Sequence, residues 1–155
     1  MPKITLGTKV PDFSLPATGD GTFRLKNASG RALVIYFYPK DMTSGCTRES
    51  QDFRDLHAAF RKAGADIVGI SRDTLSSHEK FKAKERLPFA LLSDEEERVC
   101  KLFDVIREKS MYGRKFLGIE RSTFLLDSRG VLRQEWRKVK VPGHAEAVLE
   151  ATRSL

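Results

Sequence analysis

The chain has 155 residues, of which 40% are hydrophobic and 32% are charged, and its formal net charge is +7. A chain of this length buries roughly 70% of its unfolded surface, so residues 1–155 are expected to fold as one domain without disulfides or metals. No apolar run approaches the ~20 residues that a membrane-spanning helix requires, which excludes an integral membrane protein of that kind.

Three further features of the sequence indicate where the protein is located and what it binds. The segment Met1–Leu6 lacks the basic stretch and long apolar core of a secretory signal. The two cysteines, Cys46 and Cys100, are 54 positions apart, which gives no disulfide framework, so the cytoplasm is the expected location. Residues 105–155 carry 11 basic and 6 acidic side chains. Trp136, between Glu135 and Arg137, is the best fragment of a basic patch interleaved with aromatic residues, and it alternates like a strand, so nucleic-acid binding is not expected. The excess basic side chains either lie on a solvated face or create a positive field that attracts anionic substrates and acidic redox partners.

The first third of the chain predicts a hairpin and then a buried strand. Residues 13–26 have the pattern of a short hairpin around the turn Thr18–Gly21. Residues 32–38 are apolar, β-branched and aromatic, which indicates a strand covered on both faces. Pro39 ends this strand, because proline has no N–H to donate to the ladder.

Helices and a second strand follow. Apolar residues at helical spacing predict one helix from about Ser44 to Lys62, with Gly64 as its C-terminal cap. Residues 66–71 form a second buried strand. The next helix is capped by residues 73–77 and ends near Arg86, before Pro88.

The last third predicts a short helix, a strand pair and a final helix. Ser93 and Asp94 cap the short helix, and the acidic residues 95–97 occupy its first turn, where the dipole favours anions. Residues 121–127 and 131–139 form two strands around a turn, and the final helix runs from about residue 144 to 153. Strands that alternate with helices predict a mixed α/β sandwich.

Cys46 lies where the buried strand leads into the first helix. A thiol at a helix N-terminus meets unpaired backbone N–H groups and the positive end of the dipole, and both favour the nucleophilic thiolate. A free cysteine is more commonly a small buried apolar residue. The neighbours of Cys46 are polar, however, and the hydroxyls of Thr43 and Thr47 can hydrogen-bond a thiolate or a bound oxidant. Cys46 is therefore a candidate reactive cysteine.

The segment around Cys46 resembles the active-site signature of the peroxiredoxins, Pro-x3-Thr/Ser-x2-Cys, matched here by Pro39, Thr43 and Cys46. The wider sequence YFYPKDMTSGCTRES resembles the bacterioferritin comigratory protein, or Q-type, subgroup. Four further blocks extend the resemblance over nearly the whole chain, at residues 7–13, 68–73, 89–94 and 121–127. The resemblance implies a thioredoxin fold, with a mixed central sheet flanked by helices and a peroxiredoxin-type N-terminal hairpin.

The same resemblance implies a thiol-dependent peroxidase and a role for each site residue. Such an enzyme reduces hydrogen peroxide and organic hydroperoxides through a cysteine sulfenic acid and serves antioxidant defence. Cys46 is then the nucleophile, Thr43 donates to the peroxide and orients it through its hydroxyl, and Pro39 shields the pocket from water. Arg121 stabilises the thiolate and the peroxide oxygens, for which its planar donors suit it better than a lysine. Glu49 supports the site by pairing with Arg121 or by capping the helix. It is not expected to act as a base, because its negative charge disfavours a thiolate at Cys46.

The second cysteine departs from the family pattern. Q-type members commonly keep a resolving cysteine five residues after the first, where this chain has Gln51, or in the next helix, where residues 78–86 contain none. Only Cys100 is left as a possible resolving cysteine, and a small core residue is the simpler interpretation of it. We therefore expect a one-cysteine cycle with thioredoxin, glutaredoxin or a small thiol as the reductant, and a Cys46–Cys100 disulfide as the alternative. A monomer without cofactor or metal is expected.

Other classes of protein fit less well. A thioredoxin-like disulfide reductase needs Cys-x-x-Cys, but Glu49 occupies the fourth position of that motif when it is counted from Cys46. A zinc site would need ligand spacing among the cysteines and histidines, and none has it. The alternative from another class is a non-enzymatic thioredoxin-fold binding module with a spectator cysteine, whose thiol would react with peroxide no faster than free cysteine.

Overall fold

The computed structural model describes residues 3–19, 21–28 and 30–155. Its strands are β1 (Ser14–Ala17), β2 (Gly21–Arg24), β3 (Ala32–Phe37), β4 (Ala65–Ser71), β5 (Ala90–Ser93), β6 (Ile106–Met111), β7 (Arg114–Ile119), β8 (Ser122–Leu126) and β9 (Leu132–Trp136). Its α-helices are α1 (Ser44–Asp55), α2 (His57–Lys62), α3 (Leu75–Glu85), α4 (Arg98–Leu102) and α5 (His144–Arg153). No helix in these three segments is both long and apolar enough to cross a membrane.

Seven of the strands form one mixed sheet in the order β2-β1-β5-β4-β3-β8-β9. The central strands β3, β4 and β5 are parallel, which fits their connection through helices. The pairs β1–β2, β3–β8 and β8–β9 are antiparallel. Strands β6 and β7 form a separate antiparallel hairpin. This is the mixed α/β architecture that the strand and helix pattern predicted.

The sheet separates two apolar clusters, because successive side chains of β3 point to opposite faces. One cluster contains Leu33, Ile35 and Phe37, together with residues of the N-terminal segment and of α4. The other contains Val34 and Tyr36, together with residues of α1, α2, α3 and α5. Helices therefore cover both faces of the sheet, and all six residues of β3 are buried.

Most predicted elements are confirmed. The N-terminal hairpin, the buried strands at residues 32–38 and 66–71, and the final helix all form close to their predicted bounds. Gly64 follows α2 with φ +88°, a left-handed conformation that suits its predicted role after the helix end. Asp20 of the predicted first turn, and Met1 and Pro2 of the predicted signal-free N-terminus, lie outside the described residues.

Two predictions differ from the structure, and one pair of strands was not predicted at all. The helix predicted from Ser44 to Lys62 is two helices, because Leu56 leaves the helical region with φ −99° and ψ 4°. The helix predicted after Asp94 begins only at Arg98, because Glu97 has φ +63° and cannot continue a right-handed helix. The hairpin β6–β7 was not predicted, because its side chains are mostly exposed or half-buried and do not alternate between apolar and polar.

Candidate active site

Cys46 is the third residue of α1 and lies just beyond the end of β3. The strand ends at Phe37, the N–H of Tyr38 still donates to the carbonyl of Ile70 at 3.1 Å, and Pro39 follows. Thr43 is the N-cap of α1, so the backbone N–H of Cys46 belongs to the first turn, whose donors have no intrahelical acceptor. The Cys46 side chain is almost completely buried, at 1% exposure.

Arg121 reaches Cys46 from the neighbouring strand of the sheet. It lies between β7 and β8, and β8 pairs with β3 so that Ser122 faces Phe37. Its Nη2 donates to Cys46 Sγ at 3.4 Å and its Nη1 donates to Glu49 Oε1 at 2.7 Å. Burial alone would lower the pKa of Arg121, but the charges of Glu49 and Cys46 outweigh it and the pKa is raised. The guanidinium is thus held as a cation against the sulfur.

Glu49 is a buried carboxylate one helical turn beyond Cys46. Its side chain is 1% exposed, Oε1 accepts from Arg121, and Oε2 has no hydrogen-bond partner among the described residues. Burial raises the pKa of Glu49 to about 7, although Arg121 acts in the opposite direction. The predicted pairing of Glu49 with Arg121 is therefore present in the structure.

Thr43 and Pro39 both precede Cys46 in the chain. Thr43 is exposed, and its hydroxyl donates to the carbonyl of Lys40 at 2.8 Å. It makes no side-chain hydrogen bond to the helix, so this hydroxyl does not cap α1. Pro39 is half-buried just beyond the end of β3. All four residues of the predicted constellation thus lie around the start of α1.

Several residues near Arg121 were not predicted from the sequence. A Cβ atom at Gly45 would lie 3.1 Å from Arg121 Nη2, so the guanidinium occupies the space that a larger residue would fill. Lys109, on β6, has a lowered pKa because of burial first and the charge of Arg121 second. Burial, again with Arg121, lowers the pKa of His144 to about 4, and its Nε2 lies 2.7 Å from the hydroxyl of Thr123. No local sequence signal indicates these neighbours, because the fold alone brings them together.

Cys100 lies on the opposite face of the sheet. Cys46 belongs to the apolar cluster with Tyr36 and Phe53, whereas Cys100 belongs to the cluster with Phe37 and is fully buried. Burial raises the pKa of the Cys100 thiol far above its ordinary value, and Asp94 adds to this effect. The structure therefore gives no support to a resolving role for Cys100, because the sheet separates the two thiols.

Among the residues described, one group has the spacing of metal ligands: Asp41, Asp73 and His78. The carboxylate of Asp73 accepts from the N–H of Asp41 at 2.8 Å, and the carboxylate of Asp41 accepts from the hydroxyl of Ser77 and lies 2.7 Å from His78 Nδ1. The ligand atoms are thus already hydrogen-bonded to other protein groups. We interpret the group as a hydrogen-bond network rather than a metal site.

The chain is similar to known proteins over nearly its whole length. The model of the AhpC/TSA family matches residues 6–135. Peroxiredoxin Bcp of Xanthomonas campestris pv. campestris is 54% identical over 143 residues, which cover 92% of this chain and 89% of that protein. A cysteine-to-serine mutant of Xylella fastidiosa PrxQ superposes with a TM-score of 0.92 at 39% identity, covering 99% of this chain and 98% of that one.

A second solved relative was studied in the presence of ligands. The bacterioferritin comigratory protein of Xanthomonas campestris, described in trapped intermediate and ligand complexes that concern its alkyl peroxide reduction activity, superposes with a TM-score of 0.87 at 53% identity. The superposition covers 92% of this chain and 90% of that one. These neighbours confirm the thioredoxin fold that the sequence resemblance implied.

Proposed function

The chain belongs to the AhpC/TSA family, among the peroxiredoxins of the Bcp and Q group, and from this premise we propose that Cys46 is its peroxidatic cysteine. The protein is a thiol-dependent peroxidase. The observation that most directly supports the choice of Cys46 is its contact with Arg121, whose Nη2 lies 3.4 Å from Sγ. The alternative of a non-enzymatic binding module with a spectator cysteine does not agree with this membership.

The first chemical step is a nucleophilic displacement at oxygen. The thiolate sulfur of Cys46 attacks one peroxide oxygen, the S–O bond forms and the O–O bond breaks. Cys46 becomes a sulfenic acid, and the peroxide gains the two electrons that the sulfur loses. The departing oxygen takes a proton and leaves as water or an alcohol. Arg121 faces the sulfur as a buried cation, and it stabilises both the thiolate and the negative charge that develops on the departing oxygen.

Thr43 and Pro39 shape the position of the peroxide. The Thr43 hydroxyl donates its hydrogen to Lys40, so its oxygen lone pairs are available to accept from the O–H of hydrogen peroxide or of an organic hydroperoxide. Donation from Thr43 to the peroxide requires this hydrogen to turn away from Lys40. Pro39 offers no N–H, and its ring is a half-buried apolar surface beside the loop. We assign it the role of limiting access of water to the site.

Reduction of the sulfenic acid requires a thiol from another molecule. The incoming thiol attacks Cys46, water leaves and a mixed disulfide forms; a second thiol then releases the Cys46 thiol and a disulfide. Thioredoxin, glutaredoxin and small thiols are the candidate reductants. The monomeric state and the cytoplasmic location stay predictions from the sequence.

The test is peroxide consumption by the reduced protein with a thioredoxin system, a glutaredoxin system or a small thiol as the only electron donor. We expect catalytic turnover with at least one of these donors and none with Cys46→Ser under the same conditions. A wild-type protein that consumes hydrogen peroxide and an alkyl hydroperoxide no faster than free cysteine contradicts the proposal.

A further inference from the structure

Asp41 is a buried carboxylate in the loop between β3 and α1, two residues before Thr43, and the chemistry described above does not use it. Its Oδ1 accepts from the hydroxyl of Tyr38 at 2.7 Å, and its Oδ2 accepts from the hydroxyl of Ser77 at 2.8 Å. Its backbone N–H donates to Asp73 Oδ2 at 2.8 Å. One loop residue is thus bonded to the end of β3, to the segment after β4 and to α3.

His78, on α3, completes this network. It is fully buried; its Nδ1 lies 2.7 Å from Asp41 Oδ2 and its Nε2 lies 2.9 Å from the carbonyl oxygen of Leu92 on β5. A carbonyl oxygen only accepts, so Nε2 carries a hydrogen. Nδ1 and Asp41 Oδ2 therefore share one hydrogen bond, whose proton lies on one of these two atoms. His78 and Asp41 form a buried hydrogen-bonded pair, in which the loss of either partner leaves the other unsatisfied at a cost in free energy.

The backbone beside Asp41 is held in an unfavourable conformation. Met42, between Asp41 and Thr43, has φ +66°, which lies in the left-handed region that residues other than glycine rarely adopt. Such a conformation persists where the surroundings fix the chain on both sides. Asp41 provides the fixed point before Met42. The N-cap residue Thr43, whose hydroxyl is bonded to Lys40, provides the one after it.

We propose that Asp41 is a positioning residue for the peroxide reaction and that His78 holds it in place. The pair fixes the start of α1, and with it the distances among Thr43, Cys46 and Arg121 on which the displacement at oxygen depends. The inference rests on the proposed function of Cys46. It couples the active-site loop to α3 and β5, two elements that contribute no side chain to the peroxide site itself.

Two amide variants of His78 separate the two hydrogen bonds. His78→Asn places an amide N–H near the position of Nδ1 and keeps a donor to Asp41, while it loses the donor to Leu92. His78→Gln places its amide N–H near Nε2 and does the reverse. Both variants lose the imidazole ring. Thr152→Val, which removes a buried hydroxyl bonded to Val148 in α5, is the control for destabilisation away from this loop.

The measurement is the second-order rate constant of reduced Cys46 with hydrogen peroxide, beside that with iodoacetamide, which reports thiol access but not peroxide alignment. We expect His78→Gln to slow the peroxide reaction about 10²-fold, as a displaced reacting group does, and to lower the ratio of the two rate constants. His78→Asn should keep the peroxide rate within a few-fold of wild type. Equal losses in the two amide variants, or a loss equal to that of Thr152→Val, overturn the proposal.

Further variants cover the case in which neither His78 variant folds. Ser77→Ala removes one donor to Asp41 from a half-buried position and should slow the peroxide reaction roughly three-fold, as loss of one modest hydrogen bond does. An unchanged rate in Ser77→Ala overturns the inference. Cys46→Ser is run alongside: an active wild type with an inert Cys46→Ser confirms the proposed function whatever the His78 variants do. Stoichiometric zinc binding by wild type that is lost in Asp41→Asn also overturns the inference, because the group is then a metal site.

Discussion

Arg121 and Cys46 are 75 positions apart in the chain, and the guanidinium Nη2 lies 3.4 Å from Sγ. The antiparallel pairing of β3 with β8 produces this contact. Cys46 follows β3 through a short loop, Arg121 precedes β8 directly, and Phe37 and Ser122 are paired in register. The pairing therefore places the guanidinium cation of Arg121 at the N-terminus of α1, where the helix dipole already favours an anion. Two independent positive fields converge on one sulfur.

The first prediction concerns the two cysteines. Cys46→Ser is expected to abolish peroxide reduction, while Cys100→Ser leaves the oxidation step nearly unchanged, because Cys100 is buried on the other face of the sheet. Stopped-flow measurement of the single oxidation step decides between the residues. A Cys46→Ser protein that reacts at the wild-type rate would remove Cys46 from the mechanism.

The second prediction concerns Arg121. Arg121→Met should slow the peroxide step about 10²- to 10³-fold, the range measured when one preorganised donor is removed from a site of developing charge. Arg121→Lys should recover only part of this loss. One ammonium group cannot reproduce the geometry in which Nη2 contacts Cys46 and Nη1 contacts Glu49. Rates near wild type in the Met variant, with unchanged thiolate absorbance at fixed pH, would show that Arg121 is not part of the site.

The third prediction uses the close approach of Gly45 to the guanidinium. In Gly45→Ala the new Cβ would lie 3.1 Å from Arg121 Nη2, so the guanidinium has to shift by a few tenths of an ångström. We expect a slower peroxide step without loss of stability, because alanine is favoured over glycine in a helix by up to about 1 kcal/mol. Ser44→Ala, at the neighbouring exposed position, is the matched control. Equal peroxide rates for Gly45→Ala and wild type would contradict the prediction that a side chain at position 45 displaces the Arg121 guanidinium.

The fourth prediction concerns Glu49 and pH. Burial raises the pKa of Glu49 to about 7, above its ordinary value of 4.5, so the folded state binds this proton more tightly than the unfolded state. Its contribution to the free energy of unfolding is therefore fully present below pH 4.5 and is lost as pH rises through about 7. The full effect is on the order of 3 kcal/mol, because a pKa that differs by one between the folded and unfolded states corresponds to about 1.36 kcal/mol.

Denaturant unfolding of wild type and Glu49→Gln across this pH range isolates the effect, because all other groups titrate in both proteins. The free energy of unfolding of wild type, taken relative to that of Glu49→Gln, should fall between pH 4.5 and 7 and then level off. A difference that is flat, or that rises with pH, would mean that the Arg121 pairing outweighs the burial of Glu49.

Local sequence patterns predicted much of the fold. The run at residues 32–38 predicted a strand buried on both faces, and β3 is fully buried. The apolar spacing of the final helix and the glycine after α2 likewise match the structure. The hairpin β6–β7 was missed because most of its side chains are exposed or half-buried and the apolar–polar alternation that marks a half-buried strand is absent.

Local sequence predicts part of the active site as well. It predicts the position of Cys46 at a helix start, but Arg121 was predicted only from the family resemblance, since no local signal joins residues 75 positions apart. No sequence pattern singled out Asp41 or His78. Their 2.7 Å contact depends on the packing of α3 against the loop before α1, which no spacing in the sequence encodes.

The last prediction concerns the recycling of Cys46. Gln51, at the position where Q-type relatives commonly have a resolving cysteine, donates to Glu85 of α3 at 2.8 Å, so this helix turn is used for packing and offers no thiol. Cys100 is separated from Cys46 by the central sheet. A disulfide requires the two Cα atoms to lie within about 7 Å, and bringing them together would require the sheet or its flanking helices to unfold.

We therefore expect one equivalent of hydrogen peroxide, in the absence of reductant, to leave a sulfenic acid on Cys46 that a dimedone-type reagent traps in nearly quantitative yield. Mass spectrometry of the intact protein and of its peptides measures the product, and Cys100→Ser is the matched control. The control should give the same adduct, because Cys100 does not compete for the sulfenic acid. Quantitative loss of two hydrogens, with Cys46 and Cys100 in one linked peptide, would contradict the one-cysteine cycle and reveal large-scale opening of the fold during turnover.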